Sequence, residues 1–162
     1  MGQQQLILLV LATVIVGLAT VVGIRAFSEN ADKSNADAML QDAIRIANDI
    51  QASRQKPEPL GGISTFADAS FSSLGYASTD GTTYENLNGQ FTIAASGTDV
   101  LITGDGGSAT TSTTGGSTTV TYENQIQVRV CGLSDTDIIG AIVRVGDQGT
   151  GAPSPACAGA GA

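Results

Sequence analysis

The sequence has no histidine and no tryptophan, and only two cysteines among its 162 residues. Without histidine there is no Ser-His-Asp triad, no Cys-His pair and no imidazole ligand for a metal. Basic side chains are scarce too, seven against fifteen acidic ones, for a formal net charge of −8. A chain this acidic lacks the basic patch of a nucleic-acid binder, so nucleic acid is not expected as a partner. Four Phe and three Tyr leave little for base stacking or for sandwiching a cofactor. They read as scattered core-packing residues: Phe27, Phe66, Phe71, Tyr76, Tyr84, Phe91 and Tyr122. Paired catalytic carboxylates would need a pocket that nothing in the sequence suggests. The expectation is therefore no catalytic residue, no cofactor and no metal, and enzymes are the least favoured class.

Charge is also missing from one place entirely. No Asp, Glu, Lys or Arg precedes Arg25. The mean hydropathy of +0.14 averages two different materials, an apolar N-terminal stretch and a polar, acidic remainder. Residues 6–24 read LILLVLATVIVGLATVVGI, a run of 19 uncharged residues. As a helix it would span roughly 28 Å, close to the hydrocarbon thickness of a bilayer. Length favours a membrane segment over a buried helix. A cleaved secretory signal would need a basic start, a shorter apolar run and a small-residue cleavage site. The Met-Gly-Gln-Gln-Gln start has no Lys or Arg, and no A-x-A precedes Arg25. Small residues fall in pairs four apart, Thr13 with Gly17 and Ala19 with Gly23. That spacing lets helices approach closely in an apolar medium, although any membrane helix contains some Gly and Ala.

Helical character continues beyond Arg25. Ala36, Leu40, Ala43, Ala47 and Ile50 mark one helix face, widened by Met39, Ile44 and Ile46. Pro57 and Pro59, followed by Gly61 and Gly62, end it. Ser28 can cap a fresh start, so the sequence allows one long helix or two coaxial ones, from about residue 4 to about residue 55. From Ile63 onward the period changes to that of half-buried strands. Strand signals lie at residues 91–93, 100–102, 119–122, 125–130 and 140–145, the last closed by Asp147 and Gly149. Asn88-Gly89 marks a turn. The fold expected is α+β: a long N-terminal helix, apolar then amphipathic, packed on a small antiparallel sheet of four to six strands. The organisation expected is a short leader at 1–2, an apolar helix at 3–25, its amphipathic continuation at 26–56 and a β domain at 57–162.

Residues 103–118 form a low-complexity Ser/Thr/Gly stretch that cannot build a core and reads as a mobile hairpin tip. Its hydroxyls suit O-linked sugar, and no Asn-x-Ser/Thr sequon occurs. Asp135-Thr136-Asp137 has the spacing of a calcium site or of a turn or cap. Asp80-Gly81 and Asp105-Gly106 read as turn signals first, with calcium as the lesser alternative.

A bridge between Cys131 and Cys157 would close a loop of about 25 residues and stabilise by roughly 3 to 4 kcal/mol. The rival is two free thiols in a reducing compartment; two Cys alone make a poor zinc site. The bridge is the expectation, and it places the C-terminal portion outside the cytoplasm. Arg25 and Lys33 follow the apolar stretch and none precede it, which opposes that orientation through a bias of two charges.

A two-residue polar leader ending in Gly2, an apolar helix of about 20 residues, its amphipathic continuation and a cysteine-stapled sheet together resemble the type IV pilin family, pseudopilins included. Archaeal pilins and flagellins share the helix followed by a β domain. The resemblance implies cleavage between Gly2 and Gln3, insertion in the inner membrane before assembly, and polymerisation with copies of itself. Thr13, Gly17, Ala19 and Gly23 would then pack in the filament core, and the acidic domain would face outward at the cell surface. The family usually carries Glu five residues after the cut; here that residue is Ile7, or Gln5 counted from Met1. The resemblance implies a structural subunit of an extracellular filament. The alternatives are a single-span membrane-anchored binding protein and a pseudopilin of a type II secretion machine.

Overall fold

The computed structural model describes residues 2–78, 80–114, 117–146 and 153–157; at 114 and 117–119 it describes the backbone alone. Met1 of the expected leader, residues 115 and 116 of the expected tip, and Asp147 and Gly149 lie outside the described residues.

Helix α1 runs Gly2–Gln55. Alanine, leucine, glutamine and arginine favour it beyond Arg25, and Ser28 lies inside it rather than at the head of a second helix. The chain divides into two compact units, Met1–Ala31 and Asp32–Ala162, and α1 contributes residues to both. Pro57, extended at φ −63° and ψ 144°, follows its end and opens a single 3-10 turn, Glu58–Leu60, which Gly61 closes at φ 82°.

In the second unit, α1 buries Ala36, Met39, Ala43, Ile46, Ala47 and Ile50. This is the stripe expected at helical spacing, with two adjustments. Leu40 is only partly buried, and Ile44, one step off the stripe, stays 38% exposed. Opposite lies a five-stranded antiparallel meander in sequence order: β1 Thr83–Glu85, β2 Gln90–Ala95, β3 Val100–Thr114, β4 Ser117–Val130 and β5 Ile138–Arg144. Alternate residues Phe91, Ile93, Val100, Ile102, Ile126, Val128 and Val130 face inward and form one core with the helix stripe. Full burial of such side chains contributes about 1.5–3 kcal/mol each. The architecture is α+β, as expected.

Four details depart from the sequence reading. Asp105-Gly106 is not a turn but lies within β3, opposite Gln125 and Asn124. Glycine is required there because a Cβ at residue 106 would come within 2.8 Å of the Asn88 carbonyl oxygen, as one at Gly89 would come within 2.5 Å of the Asp105 carbonyl oxygen. The Ser/Thr stretch is not a bare loop: β3 and β4 stay paired as a ribbon out to Thr114 and Ser117. A register shift between Gly106 and Ala109 offsets this ribbon from the core sheet, with Gly107 at φ 75°. Threonine's β preference and continued ladder pairing hold it, not burial. Strand β1 was not expected, and at three residues it is too short for a period-2 signal. Four of the seven aromatics are not scattered, and Phe27 is not a core residue but 78% exposed. Phe71, Tyr76, Tyr84 and Phe91 form a cluster with ring centroids 5.0–6.3 Å apart.

Candidate membrane and assembly surface

In the first unit every large apolar side chain from Leu6 to Ile24 is exposed, from 51% at Val21 to 67% at Ile7. The best 18-residue window has a hydropathy of 2.8, long and apolar enough by length and composition to cross a membrane. A helix that is apolar all round is normally buried, so a surface like this is compatible with insertion in lipid or packing against protein. The hydroxyls within it are already satisfied. Thr13 Oγ1 donates to the Val10 carbonyl and Thr20 Oγ1 to the Val16 carbonyl, each at 2.8 Å. The segment thus presents no unmet side-chain donor to an apolar medium, a feature sequence reading missed. Thr13, Gly17, Ala19 and Gly23 all lie exposed on this helix. A Cβ added at Gly17 or Gly23 would meet nothing within 4 Å. Gly2 is helical and exposed, as is Gln3.

The second unit is held together by polar locks between α1 and the sheet. Asp42 Oδ2 accepts from Asn86 Nδ2 at 2.8 Å and from Asn88 Nδ2 at 2.7 Å. Asn35 Nδ2 donates to the Asn88 carbonyl at 3.0 Å. Fully buried Asn124 donates to Asn35 Oδ1 at 2.9 Å and to the Asp32 carbonyl at 3.2 Å, and accepts from the Gly146 amide at 3.0 Å. Gln51 Nε2 donates to the carbonyls of Gly132 and Ser134, each at 2.8 Å. Tyr76 donates to Asp49 Oδ2 at 2.5 Å. Burial, then that hydrogen bond, pushes the Tyr76 phenol up to about 12. None of these locks was foreseen, because each joins residues far apart in the chain. The Asn-Leu-Asn-Gly turn at 86–89 is the one local signal that pointed to them.

Cys131 and Cys157 are disulfide-bonded, with Cα atoms 5.6 Å apart. Arg129 reinforces the staple. Its Nε donates to the carbonyl of buried Pro155 at 2.7 Å, and its Nη1 pairs with Asp99. Hydrogen bonds from Ser96 and from Arg129 hold the Asp99 carboxyl below its ordinary range.

The carboxylates weighed for calcium are otherwise engaged. Asp135–Asp137 is a 3-10 turn, where Asp137 Oδ2 accepts the Ser134 amide at 3.0 Å as a cap. Asp80 closes a turn with Gly81 at φ 81°. Its carboxyl is lowered to about 2, first by the Thr83 hydroxyl, then by the Thr83 and Thr82 amides. Asp105 accepts from Gln125 Nε2 at 2.7 Å. Among the described residues no group of three or more Cys, Asp or Glu is placed to hold a metal ion.

No protein-family model matches the chain, and neither a curated protein nor a solved structure does. The long N-terminal helix and antiparallel sheet nonetheless make a pilin-like architecture.

Proposed function

We propose that this chain is the structural subunit of an extracellular type IV pilus-like filament. Residues 6–24 anchor it in the membrane before assembly and then pack against the same segment of other copies. The acidic β domain forms the outer surface. The role is structural, not catalytic. The observation that carries this reading is the exposed apolar surface of residues 6–24 on a chain whose remainder folds around its own core. Bilayer and helix bundle both satisfy such a surface, and a head-to-tail contact that does not close produces a filament. The disulfide supports an oxidising compartment for the β domain.

Electron microscopy of filaments sheared from the surface of the native cell, with peptide mapping, tests the proposal. Filaments built from this chain, with Gln3 as the mature N-terminus, are the expected result. A protein recovered only as a dispersed membrane monomer overturns it. The same apolar helix also suits a lone membrane anchor carrying an extracytoplasmic binding domain, which predicts that second result.

A further inference from the structure

From residue 32 onward the chain carries six basic and fourteen acidic side chains, so the entire net charge of −8 belongs to the second unit. Two of the six cations are used inside the sheet: Arg129 pairs with Asp99, and Arg144 Nη1 donates to the Tyr122 carbonyl at 3.3 Å. Three of the other four, Arg45, Arg54 and Lys56, fall within twelve residues at the end of α1 and just beyond it. Arg45 and Lys56 line a groove of about 330 Å³ together with Asp49, Ser73, Gly75 and Tyr76. The groove's one carboxylate, Asp49, already takes the Tyr76 hydroxyl. Among the described residues neither Arg45 nor Lys56 forms an ion pair, and both are exposed.

We propose that this groove receives an acidic surface of a second copy of the chain, with Arg45 and Lys56 meeting its carboxylates. The proposal rests on the filament reading and adds the contact that sets the register between outer domains. Charge complementarity selects the occupant. Units of net charge −8 repel when packed side by side, and a cationic groove on each gives one place where approach is attractive. Two such grooves repel each other, so the contact is not self-complementary. It joins unlike surfaces head to tail, which propagates rather than closing as a dimer.

Zero-length carbodiimide cross-linking of filaments assembled from mixed isotope-labelled and unlabelled full-length chains tests this. Lys56 linked to an Asp or Glu of the other isotope is the expected product. Filaments of the Arg45→Gln/Lys56→Gln variant should fall apart at a lower salt concentration than wild type, while the variant chain in detergent melts as wild type does. Intact filaments in which Lys56 links to no other copy, with unchanged salt tolerance in the variant, overturn the groove contact and leave the filament reading standing. Lys56 linked only to a different protein overturns the choice of occupant. Wild-type chains that form no filament overturn the filament reading, and this proposal with it. Should the variant melt lower, the cross-linking of the unmodified chain decides.

Discussion

Asn124 is fully buried and uses both ends of its amide, joining β4 to Asn35 and Asp32 on one side and to the Gly146 amide on the other. Truncating it leaves buried partners unmet, and each such group costs about 1–3 kcal/mol. Asn124→Ala is therefore expected to lose about 2 kcal/mol or more. Urea unfolding of the full chain in detergent reads this directly, and an unshifted midpoint would show the lock to be ornamental. Asp105 behaves in the opposite sense. Burial raises its carboxyl above the ordinary range, partly offset by the Gln125 hydrogen bond and the Arg144 charge. A carboxyl whose folded pKa is raised binds its proton more tightly in the native state. Its charged form therefore weakens the fold at neutral pH, and the penalty fades as pH falls toward the unfolded value of 3.8. Asp80 and Asp99, both lowered, act in reverse: their stability is present above the unfolded pKa and lost as pH falls through the folded one. Asp105→Asn keeps an acceptor for Gln125. It should raise the melting temperature at pH 7 and lose that advantage below about pH 4. An equal gain at both pH values would exclude titration of Asp105 as the cause.

Among the elements, the second half of α1 allows a paired test. Ile46 is 2% exposed in the core stripe, and Ile44 is 38% exposed beside it. Ile46→Ala should cost about 2–5 kcal/mol, whereas Ile44→Ala should stay below about 1 kcal/mol. Equal losses in chemical denaturation would mean that the two side chains are equally buried and that this face of α1 does not end at the stripe. This stripe was legible in the sequence because helical periodicity is local and strong from Ala36 to Ile50. Inward-facing Ile126, Val128 and Val130 were legible for the same reason at period 2. The ribbon was not. Its Ser, Thr and Gly are the composition of a loop, and its strands are held by ladder pairing rather than by an apolar face. The signal available was the β preference of threonine on both sides of Gly115-Gly116. The aromatic cluster escaped notice because Tyr84 meets Phe91 only once β1 and β2 have paired, and Phe71 and Tyr76 reach Tyr84 only through the tertiary fold. The Asn locks escaped because Asn35 and Asn124 are partners 89 positions apart. For the candidate surface, the apolar run was plain from the start, while the return of the Thr13 and Thr20 hydroxyls to helix carbonyls needed coordinates.

At the scale of the whole molecule, the two units divide the work, and Gly17 and Gly23 are where that division is tested. A Cβ at either position meets nothing within 4 Å in the chain, so substitution disturbs no contact of the monomer. Leucine is also the better helix former, by about 0.5–1 kcal/mol per site relative to glycine, and it keeps the segment apolar. Gly17→Leu and Gly23→Leu should therefore leave membrane insertion and the melting of the β domain unchanged. What they remove is the small surface that lets two helices approach closely in an apolar medium. If residues 6–24 pack against their copies through these positions, filament yield in electron micrographs should fall at least about tenfold, a loss of about 1.4 kcal/mol in assembly free energy. The protein should meanwhile remain in the carbonate-resistant membrane fraction. A lone anchor is indifferent to both changes, since lipid adapts to leucine as readily as to glycine. Filaments formed at wild-type yield by both variants would remove the small-residue pairs from the assembly contact. Loss of the protein from the membrane fraction would show instead that the substitutions act on insertion. On the filament reading, insertion and assembly draw on the same apolar surface, and only assembly requires its shape.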